Sequence, residues 1–237
     1  MSTLERLKSR LGLLFASKEA RRHSRVGNPR LWRMKREFQF EFLKRMGLER
    51  GQRLLDLGCG TLRGGLPVIE FLEPGHYTGV DVRADVLDEA RAELEEARLA
   101  HRAPQLVLAG DLGELELPER FDWVWAFSVL IHMDDAVLER AFAFVARQLA
   151  PRGVFLANVR TESGGAGEVG RWQGFPVVAR SVDAYRAAAG RHGFSVRDMG
   201  SLSGLGHVSG EPFQDAQHML LLRRPEDAAS EHAGEGA

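Results

Sequence analysis

The run Leu54-Leu55-Asp56-Leu57-Gly58-Cys59-Gly60-Thr61-Leu62-Arg63-Gly64-Gly65 constrains this chain more than any other feature. Its first part, apolar except for Asp56, reads as a buried strand that runs straight into a glycine-rich turn and then a helix. Glycine has no Cβ, so such a turn can take positive φ and let a ligand approach the backbone closely. The helix after it presents free N–H groups suited to a carboxylate or phosphate. The next apolar run, Tyr77 to Val80, ends at Asp81, whose carboxylate can accept two hydrogen bonds from a ribose diol.

Strands and helices alternate from there on. Strands are expected at 53–57, 77–80, 106–109, 121–127 and 154–159, and helices up to Leu72, from Ala84 to about Leu99 and from Asp134 or Asp135 onward. In that last helix Leu138, Phe142, Val145 and Leu149 repeat at spacings of four and three, the buried stripe of an amphipathic helix. Alternation of this kind predicts an α/β fold with a parallel sheet. Residues 161–174 are glycine-rich and read as a mobile loop or lid, followed by a helix over 182–192, a strand near 195–198 and a last strand over 217–222. Upstream, Leu31 to Met46 reads as a helix with Trp32, Phe38, Phe42 and Met46 near one face and Gly47 as its stop.

The glycine spacing separates two nucleotide chemistries. Dinucleotide sites use G-x-G-x-x-G, but here the third glycine position holds Arg63, which would crowd close helix–strand packing. Gly58-x-Gly60-x-x-x-Gly64 preceded by Asp56 instead resembles motif I of the class I S-adenosylmethionine-dependent methyltransferases, and the resemblance covers roughly 54–222. It implies a Rossmann-like, seven-stranded, mostly parallel sheet with helices on both faces, a final antiparallel strand, and S-adenosyl-L-methionine lying across the carboxyl ends of the first strands. Carried over by position, Asp56, Gly58 and Gly60 lie against the methionine part of that cofactor, with Cys59 a small filler inside the same turn. Asp81, with its neighbour Val82, holds the ribose hydroxyls. Asp111 reads the adenine amino group while Leu112 covers the ring, and Phe127 and Ser128 lie beneath the cofactor near the methyl-transfer point.

A sulfonium methyl is displaced in line by a nucleophile, so alignment of donor and acceptor can provide most of the rate. An alcohol or phenol acceptor also needs a base with a pKa near working pH, most readily a histidine. His132 is the first candidate, in a Ser128-x-x-x-His132 segment that looks like that of many small-molecule methyltransferases, with a structural helix-entry role as the alternative. His207, in a glycine-flanked loop expected to border the acceptor pocket, and His218, on the last strand, are weaker candidates. Trp172, Phe175 and Tyr185 could line that pocket. No metal is expected: Asp134, Asp135 and Asn158 are the nearby candidate ligands, and helix capping accounts for either aspartate more simply. After the fourth strand the chain has Phe127-Ser128-Val129-Leu130, not the polar-Pro-Pro-aromatic tetrapeptide of amino-methyltransferases. A small hydroxylated metabolite, sugar or natural-product intermediate is the expected acceptor, and O-methylation the expected reaction.

Composition sets the remaining bounds. With 237 residues, 44% hydrophobic, and a formal net charge of -1, the chain suits one generous domain. Residues 1–50 read as a basic N-terminal helical cap, 51–224 as the cofactor-binding domain and 225–237 as a disordered tail. All four lysines (Lys8, Lys18, Lys35, Lys44) precede the glycine loop. Within Met1 to Arg25, Leu4, Leu7, Leu11 and Leu14 mark an amphipathic helix whose leucines pack on the domain. No run approaches the ~20 apolar residues of a membrane span, the first residues lack a secretory apolar core, and the lone Cys59 fits a reducing compartment, so a cytoplasmic setting is expected. Nucleic acid is not the expected partner, and a homodimer stays open. Two alternatives also stay open: an RNA methyltransferase with Lys18, Arg21, Arg22 and Arg25 on phosphates, and a non-catalytic S-adenosylmethionine-binding protein. A nicotinamide-dependent reductase fits less well, because no lysine after Lys44 can form a Tyr-x-x-x-Lys pair.

Overall fold

A computed structural model describes residues 28–162 and 167–225. The amphipathic helix expected in 1–25 and the tail beyond 225 lie outside the described residues. The elements run α1 (Trp32–Arg45), β1 (Leu54–Leu57), α2 (Gly65–Phe71), β2 (Tyr77–Asp81), α3 (Ala84–Glu96), β3 (Gln105–Leu108), β4 (Phe121–Ala126), α4 (Asp135–Gln148) and β5 (Leu149–Val159). The chain continues with β6 (Gly167–Trp172), β7 (Phe175–Ala179), α5 (Val182–Gly190), β8 (Ser195–Ser201), α6 (Pro212–Asp215) and β9 (His218–Arg223).

Seven strands form one sheet in the order β3-β2-β1-β4-β5-β9-β8. Neighbours from β3 to β5 pair in parallel, and β9 runs antiparallel to both β5 and β8, so it is the one reversed strand. Chain order reverses between β1 and β4, and a crevice opens outside the carboxyl ends of the strands at such a switch point.

Successive strand side chains point to opposite faces, and both faces are covered. Leu55 and Leu57 join Val124, Ala126, Phe155 and the α4 stripe Leu138, Phe142 and Val145 in one core. Leu54 joins Trp123, Trp125, Leu156 and the α3 residues Leu87 and Leu94 in the other, and Phe38, Phe42 and Leu43 of α1 belong to that same cluster. Helix α1 is therefore packed into the domain. It stops where expected: Gly47 has φ of +100° and the Leu48 N–H donates to the Leu43 carbonyl at 3.0 Å, a Schellman closure. Asp134 caps α4, accepting from the Val137 N–H at 2.9 Å, while Asp135 pairs with buried Arg180 at 2.7 Å.

One expectation about backbone is corrected. The glycine-rich stretch is not a loop over its second half: β6 and β7 form an antiparallel hairpin in which Trp172 faces Phe175. Gln173 and Gly174 between them have φ of +47° and +90°, positive at both central positions as a two-residue type I′ turn requires. Glycines at 167, 170 and 174 hid the alternation from a reading based on hydrophobic periodicity.

Candidate functional site

The carboxyl ends of β1, β2 and β4 open into a cavity of about 1480 Å³. Its floor is the glycine loop. Gly58 (φ +73°) and Gly60 (φ +58°) both occupy the left-handed region, and a Cβ on Gly58 would stand 2.4 Å from Val129 Cγ2. The loop is tied to the second strand: the Gly58 N–H donates to the Val80 carbonyl at 2.7 Å, and Asp81 Oδ2 accepts the Gly60 N–H at 3.0 Å. Asp81 Oδ1 accepts the Arg83 N–H at 3.0 Å, so the carboxylate is held by backbone at both oxygens and keeps lone pairs toward the cavity it lines.

Behind the loop, Asp56 is buried and accepts from the Tyr77 hydroxyl at 2.6 Å. Burial, reinforced by Asp81, pushes its carboxyl up to about 7, although the Tyr77 bond and the Arg63 charge act the other way. Arg63 is buried in the same wall and its guanidinium is brought down to about 10 by burial, with Asp56 opposing. Cys59, also buried, packs against Gly79 and its thiol is pushed up by burial, which fits a filler and not a nucleophile.

At the end of β4, Phe127 stacks on Trp125 with centroids 5.6 Å apart, and Ser128 turns the chain with φ of +61°. The Ser128 N–H donates to Asn158 Oδ1 at 2.6 Å, and Asn158 Nδ2 in turn donates to Gln217. Asp134, Asp135 and Asn158 thus have structural partners, and among the described residues no group of three or more His, Cys, Asp or Glu is arranged to hold a metal.

His132 lines the cavity. Its Nδ1 lies 2.9 Å from the Pro176 carbonyl oxygen, which can only accept, so Nδ1 carries the proton and a neutral ring presents Nε2 as its acceptor. Its ring stacks on Trp172 with centroids 5.3 Å apart at 26°, and Phe175 stands 6.4 Å away. Burial holds its pKa below the ordinary imidazole value, the Pro176 bond opposes, and Arg83 adds to the lowering. Arg83 also reaches the hairpin turn, donating to Gln173 Oε1 at 2.7 Å and lying over Trp172. Arg83 thereby ties the hairpin, whose residues line the cavity, to the end of β2.

Of the sequence-derived candidates, Asp56, Gly58, Cys59, Gly60, Asp81, Val82, Leu112, Phe127, Ser128 and His132 line this one cavity. Asp111 does not. Its carboxylate accepts the Gly113 N–H at 2.7 Å and pairs with Arg140 at 3.3 Å, while Gly110 and Leu112 on either side face in. His207 does not border the pocket either: Asp215 takes its Nδ1 at 3.0 Å, and Phe38 and Phe127 cover the ring, leaving the side chain 1% exposed. His218 pairs with Asp198 on the neighbouring strand. Trp172 and Phe175 line the cavity, whereas Tyr185 is wholly buried in the core against Arg180.

The sequence reading missed Lys35, Gln39, Arg63, Gln214 and Gln217, which also line the cavity. A signal did exist for two of them. Lys35 and Gln39 fall on the stripe of α1 that carries Trp32, Phe38 and Phe42, and a polar residue on an apolar stripe marks either a core bond or a site.

Residues 55–155 match a protein family described as a methyltransferase domain. The chain is similar to sterol 24-C-methyltransferase erg6 of Aspergillus fumigatus, 28% identical over 46% of this chain and 28% of that protein. It is also similar to O-methyltransferase rstn1 of Aspergillus nomiae, 31% identical over 47% of this chain and 48% of that one. The chain therefore spans half or less of the length of these relatives. Among solved structures, the glycopeptide N-methyltransferase MtfA complexed with S-adenosyl-L-methionine superposes with a TM-score of 0.63 at 20% identity, covering 80% of this chain and 94% of that one. These three names carry a carbon, an oxygen and a nitrogen acceptor, so the likeness fixes the sheet and its cofactor loop and leaves the acceptor atom to the rest of the site.

Proposed function

We propose, from the premise that this is a class I S-adenosylmethionine-dependent methyltransferase chain whose residues 55–155 match a methyltransferase domain, that the protein methylates an oxygen of a small hydroxylated molecule with His132 as general base. When bound, S-adenosylmethionine supplies an electrophilic methyl group on a sulfonium. The residues present suit that cofactor: a Cβ would obstruct the cradle at Gly58, and a backbone-held carboxylate, Asp81, stands at the ribose position of the fold. Asp56 and Arg63, buried together, suit the ammonium and carboxylate of the methionine end. Leu112, Val82 and Phe127 give the adenosine apolar walls, and Gly110 brings backbone to the adenine edge in place of the Asp111 side chain.

The observation that carries the choice of oxygen is the Nδ1–H···O=C bond from His132 to Pro176, because it fixes the tautomer in which Nε2 can take a proton. His132 would take the acceptor's hydroxyl proton on Nε2 as the methyl group passes to that oxygen, and the hairpin would limit water around the reacting pair. Its depressed pKa keeps the ring neutral at neutral pH and so ready as a base. The rim supports an acceptor with an apolar body, since Val169 and Phe213 line the cavity yet are exposed.

Incubation with methyl-labelled cofactor and a metabolite extract from the source organism tests the reading. Label should pass to a small molecule as a methyl ether or ester, at a rate insensitive to moderate salt. Label in RNA with a steep salt dependence, or cofactor binding with no transfer to any fraction, would replace it with one of the two alternatives.

A further inference from the structure

Lys35 is a buried charged group of the cavity that neither the cofactor nor the base accounts for. It lies on the buried face of α1, only 6% exposed, and lines the cavity. Its Nζ donates to Gln214, and among the described residues no carboxylate stands in ion-pair contact with it. The two acids whose charges reach it are occupied elsewhere. Asp215 is held by His207, by both Ser209 groups and by the Gly210 N–H, and Glu211 by Asn28 and Gln214. Arg63 brings a second positive charge to bear on the same ammonium. Among the described residues the charges of Glu211 and Asp215 offset that of Lys35 from a distance and neither pairs with it directly, so a ligand that delivers a contacting counter-ion gains affinity.

Lys35 and Arg63 differ in their direct partners. Arg63 is coupled to Asp56 at the glycine cradle, whereas Lys35 is bonded to Gln214 and sensed by His207, both on the segment that follows β8. Two amides touch it, Gln214 at the ammonium and Gln39 at the backbone carbonyl, and Gln217, Phe127 and Phe213 line the same cavity. We propose that Lys35 binds a carboxylate carried by the methyl acceptor, which makes the substrate a hydroxylated organic acid with an apolar body. Glu211, on the same wall, would repel a second negative charge, so a carboxylate fits better than a phosphoryl group. Burial, and after it Arg63, brings the Lys35 ammonium down to about 8, which still leaves it charged at neutral pH.

The inference rests on the proposed methyl-transfer function, and its test separates the two. Calorimetry first measures S-adenosylhomocysteine against the full chain, and no binding there would sink the methyltransferase reading itself. Protein saturated with S-adenosylhomocysteine is then titrated with matched acid and amide pairs of hydroxybenzoates, hydroxycinnamates and hydroxylated fatty acids. At least one acid should bind about ten-fold more tightly than its amide, the scale of a buried charge-assisted hydrogen bond. Lys35→Met, or Lys35→Gln if the methionine variant is poorly folded, should erase that preference with S-adenosylhomocysteine affinity and melting temperature retained. A panel in which no acid outperforms its amide, or a preference that survives in the variant, overturns the inference. So does a variant that binds S-adenosylhomocysteine more weakly but 5′-methylthioadenosine normally, because the anion at Lys35 would then be the cofactor's own.

Discussion

The cavity wall formed by residues 56–60 and 80–82 is continuous chain leaving two adjacent parallel strands, whereas the opposing wall gathers Lys35 from α1, Trp172 and Phe175 from the hairpin, and Gln214 and Gln217 from the segment before β9. The first wall presents mainly backbone: two glycines at positive φ and a carboxylate held by two N–H groups. The second presents side chains, and its one positioned nitrogen base depends on a carbonyl more than forty residues away, Pro176. Backbone attached to a buried sheet is preorganised, so the first wall suits the constant partner of the reaction. Side chains borrowed from separate elements can differ while the sheet stays the same, so the second suits the variable partner.

Substitutions should divide along that line. The largest effect is expected for His132→Ala, which should lower turnover by about 10²- to 10⁴-fold, the usual contribution of a general base, with S-adenosylhomocysteine affinity retained in calorimetry. A folded variant with unaltered turnover would leave His132 only its structural bond to Pro176. Gly58→Ala puts a Cβ at positive φ and against Val129, so cofactor affinity should fall by about 2–4 kcal/mol, with the acceptor wall untouched. Normal cofactor affinity there would show that the loop can shift and is not a fixed cradle.

Asp81→Ala should cost about 2–3 kcal/mol in cofactor binding, because it loses the proposed paired bonds to a buried diol and also frees the Gly60 and Arg83 N–H groups. Trp172→Ala should act on the other wall, raising the acceptor KM by the equivalent of about 1 kcal/mol through loss of the face on which His132 rests. An equal loss in cofactor affinity would erase the distinction between the walls. The smallest effect is a proton count. Asp56, pushed up to about 7, is partly protonated at neutral pH, and an ammonium beside it would lower its pKa, so cofactor binding should release a fraction of a proton. Binding enthalpies measured in buffers of different ionisation heat should show a release that is largest below pH 7, between the bound and free pKa, fades by about pH 9 where the group is already ionised, and disappears in Asp56→Asn.

The first wall was legible in the sequence because its parts are contiguous. Leu54 to Gly60 and Tyr77 to Asp81 each encode a strand and the turn or acid at its end, and parallel pairing places Leu57 beside Val80. Asp111 shows the limit of spacing: it puts an acid just after β3, but the partners of its carboxylate, the Gly113 N–H and Arg140, come from the fold. The hairpin was hidden because its glycines break the period-two pattern, although Gln173-Gly174 between Trp172 and Phe175 was a usable turn signal. His207 looked available in a glycine-flanked loop, and only packing against Phe38 and Phe127 revealed that it is enclosed.

Local order along the chain determined the α/β class, the parallel strands, the glycine turn, the acid at the end of β2 and the histidine after β4, since each depends on residues a few positions apart. Tertiary structure alone decided which nitrogen of His132 is the acceptor, that the hairpin lines the cavity, and that Lys35 meets Gln214, 179 residues further on. Periodicity and spacing report which face a residue occupies on its own element. Contacts between elements distant in sequence come from how those faces stack, and no single segment contains that information.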